Sequence, residues 1–532
     1  MPSLLGIDSG LTVTKAVVFD VDGTLLAVAR RRVEQSQPAA RFVERDMEAL
    51  WRATAGAVAE AIVACGRPAD DIEAVAATAH GDGVYVLDAG HRPLGPGILS
   101  LDSRAGGVVD AWRADGTFER ALELTGQTPH ASAPSTLLAW MREREPERYR
   151  RIAHVLACKD WLRFALCGTI GTDRTEASTA FTDVRTQAFS DDALRLFGLE
   201  RLTGALPPVA ASTDIVGTVS ADAARLTGLR AGTPVACGLH DVTASALGIG
   251  AHAPGTLGIV AGTYSINEIV SDAPRTDPRW LCRNAIESGR WNAMAISPAS
   301  TANYDWFLDT LCSRERREAG SGIHAQLAPE IEAAFARPSS LLFHPYLYGS
   351  PFGDAASGSF TGMRGWHRRG DLLRAVLEGI VFNHRVHVDA LRDGFQVHTV
   401  RLTGGVSRQP RVAQLFADVL DLRVEVPALE EAAAFGAAVC AGVGVGLYRS
   451  IHDAPSPPDA SLRTHRPDRA GVAALAERFA LHRRIGDALA PCWADLDALA
   501  RPTGAADAAP APDLSSERSS NLAPDPSPDP SP

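Results

Sequence analysis

Lysine is nearly missing from this chain: Lys15 and Lys159 are the only two among 52 basic residues, and every other cation is arginine. Against that background each retained lysine stands out as a candidate for a specific role. Apolar runs are short, and none approaches the roughly 18 residues that a membrane span needs. The N-terminus runs straight into a strand pattern, without the basic region, apolar stretch and cleavage site of a secretory leader. A soluble, cytoplasmic protein is expected, with no membrane partner. The eight cysteines are scattered, with no C-x-x-C and no Cys/His cluster at metal-ligand spacing. They read as reduced thiols packed like small apolar residues. A net charge of −11, with no basic stripe, excludes a nucleic-acid binder.

What is present describes a globular protein. Hydrophobic residues make up 45% of the chain and the mean hydropathy is −0.03. At 532 residues the chain is too long for one ordinary core, so two domains of about 200 residues or more are expected.

Residues 4–30 form three short apolar runs with turns at Ser9-Gly10 and Asp22-Gly23, an antiparallel meander. Helical periodicity follows over Met47–Cys65, where Leu50, Trp51, Thr54, Val58 and Ile62 share a face behind the acidic Asp46. A strand is expected over Ile72–Ala79, then a polar segment, His80-Gly-Asp-Gly83, after which 84–87 resumes the strand. Strands and helices alternate to about Gly238, the pattern of an α/β layer architecture. Near residue 250 the pattern restarts. Residues 255–270 read as two strands joined by Gly-Thr-Tyr-Ser, followed by helices at 370–394 and 410–421 and strands at 399–403 and 422–426. Two halves on one plan point to a duplication with a cleft between them. The final segment, 503–532, is Pro, Ser, Asp and Ala, cannot offset its ordering entropy by burial, and reads as a disordered tail.

The meander supports two chemistries. In one, Asp8 closes a strand and Ser9, Gly10, Thr12 and Thr14 lead to Lys15. Small residues let the backbone approach a polyphosphate, the carboxylate can hold Mg²⁺, and the lysine supplies a point charge near the phosphates. An ordinary turn is the bland alternative. In the other, an apolar strand enters Asp20-Val-Asp22-Gly-Thr, the nucleophile motif of haloacid-dehalogenase-type phosphatases. That chemistry needs a later Ser or Thr at a strand end, a lysine and a downstream acidic pair. The one downstream lysine, Lys159, sits in Cys158-Lys-Asp-Trp-Leu, which reads as a helix start. Asp22-Gly23 joins runs of about eight residues, as a hairpin turn does.

Asp241 stands at a strand-to-helix junction, with a helix expected over 242–249. It is either an N-cap or a general base that takes the proton of an attacking hydroxyl. Gly262-Thr263 and Gly404-Gly405 end strands in the second half, where they permit close approach to a nucleotide or form plain turns. His80, Asp82, Asp102 and Arg104 lie on loops of the first half and suit vicinal hydroxyls, if they are not simply solvated.

Together these residues resemble the FGGY carbohydrate kinases. The most specific match is Gly358-Ser-Phe-Thr-Gly-Met, seven residues, then Asp371-Leu-Leu-Arg-Ala-Val-Leu-Glu378. The Asp8 hairpin, Gly238-Leu-His-Asp241, Gly262-Thr263, Leu402-Thr-Gly-Gly-Val-Ser and Phe435-Gly-Ala-Ala match in the family's order, covering the chain to about Gly446. Two departures stand out. Leu137 replaces the lysine usual shortly before Trp140, and His80-Gly-Asp-Gly differs from the pattern of the sugar-contacting region. The first is similar to the branch holding L-xylulose kinase and erythritol kinase.

The resemblance implies an α/β fold of two duplicated actin-like ATPase (ribonuclease H-like) domains with an interdomain active-site cleft. Residues 1–248 would form the sugar side and 249–500 the nucleotide side. It implies ATP and Mg²⁺, a small-molecule sugar or polyol as acceptor, and leaves room for a homodimer. Asp241 would be the base and would also touch the sugar, with His80, Asp82, Asp102 and Arg104. Asp8 would hold the metal, with Thr12, Thr14 and Lys15 around the phosphates. Gly262, Thr263, Gly404 and Gly405 would line the nucleotide. The acceptor implied is a primary hydroxyl of a pentulose, L-xylulose or a related keto-sugar, with erythritol or another polyol as the alternative.

Overall fold

The computed structural model describes residues 1–350, 356–455 and 462–500; the tail expected over 503–532 lies outside them. Among the described residues no helix is long and apolar enough to cross a membrane.

Two seven-stranded sheets repeat one plan. In the first, Ser3–Ser9 lies between antiparallel Val13–Asp20 and parallel Ile72–Ala79. Leu25–Arg32 extends one side, and Pro234–Ala236 extends the other in parallel. In the second, Thr256–Ala261 lies between antiparallel Ser265–Ser271 and parallel Thr399–Thr403. Trp291–Ser297 and parallel Arg423–Val426 extend it. In chain order, both cores read third, second, first, fourth, fifth. That shared order is the duplication expected from the restarting sequence pattern.

Ser3–Ser9 is buried nearly throughout because both faces of its sheet are covered. Leu5 and Ile7 pack with Leu50, Ala57 and Val58 of helix Met47–Cys65. Leu4 points the other way, into a cluster with Ala434 and Ala438 of helix Ala432–Gly444. This alternation is the two-residue period of a strand. Helix Ala432–Gly444 comes from the second half yet seats on the first half's sheet. Its glycine- and alanine-rich face permits this: a Cβ on Gly6 would stand 1.9 Å from the Ala434 carbonyl oxygen. Helix Asp241–Gly248 crosses the same helix, where a Cβ on Gly436 would meet the Ala244 carbonyl at 2.0 Å.

Helix Met47–Cys65 starts where Asp46 accepts a hydrogen bond from the Ala49 amide at 2.6 Å. One expected continuation does not occur. Residues 84–87 do not resume strand Ile72–Ala79; Tyr85–Leu87 instead pairs with His154–Leu156 in a separate ladder. Positive φ at Asp82 (58°) and Gly83 (74°) turns the chain out of the first sheet.

Candidate active site

Parallel strands deliver their carboxyl ends to one edge of a sheet, where open α/β sheets place their ligands. In the first sheet Ser9 pairs with Ala79, and His240 pairs with Ala79 from the other side. Asp8, His80 and Asp241 are thereby gathered at one edge. Asp241 opens helix Asp241–Gly248, but the capping residue is His240, whose ring nitrogen accepts from the Val242 amide at 3.3 Å. Asp241 Oδ1 accepts from the same amide at 2.7 Å. Its side chain stays 30% exposed, so the carboxylate reaches solvent through the cleft. Burial, then the nearby Asp8 charge, push its carboxyl up to about 7.

Asp8 and Lys15 are directly opposite each other across the first hairpin. The ammonium lies 3.4 Å from Asp8 Oδ2 and 2.9 Å from Glu431 Oε2, the latter contributed by the second half. Burial raises the Asp8 carboxyl, and Lys15 only partly offsets it. Thr12 is exposed at the hairpin tip. Thr14, expected beside it at the phosphates, is fully buried and bonds its hydroxyl to Thr54 at 3.0 Å. The correction follows from strand alternation: neighbours Thr14 and Lys15 face opposite sides of the sheet.

The second sheet repeats the geometry. Val260 pairs with Thr403, so the turn at Gly262 and Thr263 and the pair Gly404-Gly405 end adjacent parallel strands. Thr263 is exposed, and the Gly262 carbonyl accepts from the Thr301 amide. Gly404 has φ 107°, and a Cβ there would lie 2.2 Å from the Ala261 carbonyl. Its glycine is therefore required by strand packing. A Cβ on Gly405 would meet nothing within 4 Å, so packing does not require that glycine.

Between the halves lies a cavity of about 450 Å³. His80, Asp82, His240 and Asp241 line it from the first half, and Tyr264, Trp280, Arg283 and Ser297 from the second. Burial lowers both imidazoles, His80 to about 3 and His240 to about 4, so each is neutral at ordinary pH. Asp82 is the charged floor. Burial disfavours its ionisation, but the Arg283 guanidinium and His130 outweigh this and hold it well below the usual carboxylate range. Arg283 Nη2 donates to Asp82 Oδ1 at 2.8 Å, Nε to Gln127 Oε1 at 2.9 Å, and Nη1 lies 3.2 Å from His240 Nε2. One side chain on edge strand Leu281–Asn284 thus binds three groups of the other half. No local signal marks it: it is one arginine in a chain whose cations are nearly all arginine. His130, 3.5 Å from Asp82, is equally silent in sequence.

Asp102 and Arg104 do not line this cavity, which corrects their expected role at the sugar. Both side chains are fully buried. Asp102 accepts from the Val43 amide at 2.7 Å and from Arg104, whose guanidinium also reaches Glu44 and stacks on Phe42. A short loop sequence with matched charges satisfied itself inward. The family-like segment at 358–378 is also structural. Asp371 caps helix Arg369–Gly394 and holds Arg337, while buried Glu378 binds Arg374 and Arg478. At the phosphatase-like motif, Asp20 Oδ1 accepts from the Asp22 and Thr24 amides and Gly23 has φ 83°. The carboxylate is spent on a hairpin turn, as Asp22-Gly23 suggested.

Comparison with known proteins agrees with this geometry. Residues 3–248 match the N-terminal domain of the FGGY family of carbohydrate kinases, and 257–445 match its C-terminal domain. The L-xylulose/3-keto-L-gulonate kinase of Escherichia coli K12 is 34% identical over 468 residues, covering 87% of this chain and 92% of that protein. The erythritol kinase of Brucella abortus is 30% identical over 512 residues, covering 92% and 97%. The crystal structure of xylulose kinase from Rhodospirillum rubrum superposes with a TM-score of 0.81 at 29% identity, over 92% of this chain and 99% of that one. With matched domains on both sides of the cleft, the chain belongs to the FGGY family of carbohydrate kinases, ATP-using phosphotransferases that act on small sugars.

Proposed function

We propose that the chain transfers the γ-phosphoryl group of ATP to a primary hydroxyl of L-xylulose or a related keto-sugar. One observation carries the reading: Asp241, raised to about 7, stands between a sugar-sized cavity, into which His80 and Asp82 also face, and the Asp8–Lys15 hairpin. A carboxylate with that affinity for protons suits a general base near neutral pH. Asp241 accepts the hydroxyl proton as the oxygen attacks phosphorus. His80 and Asp82 fix neighbouring hydroxyls, the neutral imidazole and the carboxylate both able to accept hydrogen bonds.

We assign 1–248 to the sugar side and 249–500 to the nucleotide side. Lys15 and Thr12 lie at the phosphates, and Gly262, Thr263 and Gly405 face the nucleotide. Asp8 would hold a magnesium ion on the ATP phosphates, since a cation there would relieve the repulsion by which Asp8 raises the Asp241 carboxyl. Among the described residues no cluster of three or more His, Cys, Asp or Glu ligands forms. Magnesium on ATP needs none, since one or two carboxylates supplement the phosphate oxygens and water. The ion would supply charge neutralisation at the phosphates.

The test is a coupled ADP-release screen over pentuloses, pentitols, tetritols and keto-sugar acids. L-Xylulose or 3-keto-L-gulonate should give the highest kcat/KM. A clear preference for erythritol would replace the ketose reading with the polyol one. Phosphate release without ATP would overturn both.

A further inference from the structure

Arg45 carries a charge that the fold buries without pairing. Its side chain is 1% exposed, and among the described residues no carboxylate stands within ion-pair distance of it. The two flanking carboxylates are engaged elsewhere: Glu44 with Arg104, Asp46 with the Ala49 amide. The Arg45 Nε has no partner at all. A buried guanidinium without a counter-ion is costly, and a fold retains one only where some other group restores the balance.

Its contacts point to that group. Nη1 donates to the Gly10 carbonyl at 3.4 Å and Nη2 to the Leu11 carbonyl, which also accepts from Gln35 Nε2 at 2.5 Å. Both carbonyls belong to the turn between Asp8 and Lys15. A trans peptide points its C=O and the following N–H in opposite directions. Drawing the Gly10 and Leu11 carbonyls inward therefore turns the Leu11 and Thr12 N–H groups outward. Leu11 lines the cavity and Thr12 is exposed, so the turn that carries these amides borders the cleft. Successive outward amides make an anion cradle. Arg45 also contacts the Tyr85 hydroxyl, which lies 3.3 Å from His80 Nε2. The same side chain thus touches the phosphate turn and the acceptor side of the cleft.

We infer that Arg45 is a positioning residue for phosphoryl transfer. It sets the Gly10–Leu11 peptides so that the Leu11 and Thr12 amides meet the ATP polyphosphate, and that polyphosphate supplies the charge its guanidinium lacks. This rests on reading the Asp8–Lys15 hairpin as the phosphate site.

The test compares Arg45→Gln and Arg45→Lys with Asp8→Asn in the full-length enzyme. Steady-state kinetics are run in both substrates, and ATP binding is measured by titration calorimetry. Arg45→Gln should lower kcat/KM for ATP about thirtyfold, the loss of one charge-assisted contact, while KM for the sugar moves less than about threefold. Nucleotide binding should weaken with it, and Arg45→Lys should recover most of the loss by restoring the charge. A merely structural arginine would lower the melting temperature without that split between substrates. If Asp8→Asn is inactive while Arg45→Gln keeps kcat/KM for ATP within about threefold, the inference falls and the hairpin reading stands. If Asp8→Asn itself keeps near-native turnover, the hairpin is not the phosphate site and both fall. Should Arg45→Gln fail to fold, Gln35→Leu removes the other donor to Leu11 and should raise KM for ATP in the same direction. An unchanged value there would overturn the inference.

Discussion

The first hairpin of each half follows the same path, and the two carry opposite chemistry. In the first, Asp8 pairs with Lys15 one step before the turn; in the second, Val260 pairs with Ile266 at the same register. The turn between holds four residues in one case and three in the other. The first turn, with Asp8 and Lys15 beside it, meets the raised carboxyl of Asp241 and the guanidinium of Arg45, whereas the second turn carries no charge and meets a glycine pair at Gly404-Gly405. Duplication supplied two equivalent strand edges, and only one became a charged edge. A phosphoryl donor needs cations and a metal at its reacting end, while its base and sugar need only close backbone approach.

The largest expected effect lies on the charged side. Asp241→Asn should lower turnover about a thousandfold while leaving ATP binding nearly intact, as removal of a general base does. Steady-state rates with parallel nucleotide titration check it, and near-native rates would remove Asp241 as the base. Next is the contact joining the two halves. Arg283→Met leaves Asp82 without its main partner and should cost about 3 kcal/mol in chemical denaturation, with weaker sugar binding. Loss of stability below about 0.5 kcal/mol would mean that the halves hold together without it.

The glycine pair divides the uncharged side. Gly404→Ala should destabilise by about 2 kcal/mol, through its φ of 107° and the 2.2 Å approach to Ala261. Gly405→Ala should stay within about 0.5 kcal/mol in stability, so any rise in KM for ATP reports the nucleotide directly. Equal melting temperatures for the two variants would contradict the packing role of Gly404.

The smallest effect is in pH. Asp241 acts deprotonated, so kcat/KM for the sugar should fall below a limb near 7. Asp8 is the second cause of that raised value, and Asp8→Asn should move the limb to lower pH in whatever activity remains. The stability sign is fixed by the same shift. The folded value lies above the unfolded one, so the protonated carboxyl's contribution is full below the unfolded pKa and lost as pH rises through about 7. Asp241→Asn should therefore gain melting temperature over the parent between about pH 4 and about pH 8. A parallel offset across that range would exclude the shift.

Legibility tracked how local the deciding interaction is. Helix Met47–Cys65 and strand Ile72–Ala79 were legible because periodicity and an Asp cap act over a few residues. Asp8 and Asp241 were legible as residues at strand ends, although a carboxylate there can also serve a turn or a cap, as Asp20 does. Asp102 and Arg104 misled because a short polar loop reads alike whether it faces solvent, a sugar or its own backbone. Thr14 misled because strand alternation, and not nearness to the turn, sets the side that its hydroxyl faces. The segment most indicative of family, 358–378, contributes the Asp371 and Glu378 contacts that hold helix Arg369–Gly394, and none of its residues lines the cavity.

The sequence by itself determined most of the element order, the doubled plan and, through its ordered motifs, the resemblance to the family. The elements follow from spacing and turn chemistry, which act along the chain, and the family from motifs read as a resemblance. Only the tertiary structure decided which of many arginines matter. Arg283 meets Asp82 across 201 residues, and Arg45 meets the Gly10–Leu11 turn across about 35. A guanidinium gains its role from the partners that folding brings to it, and from those it withholds.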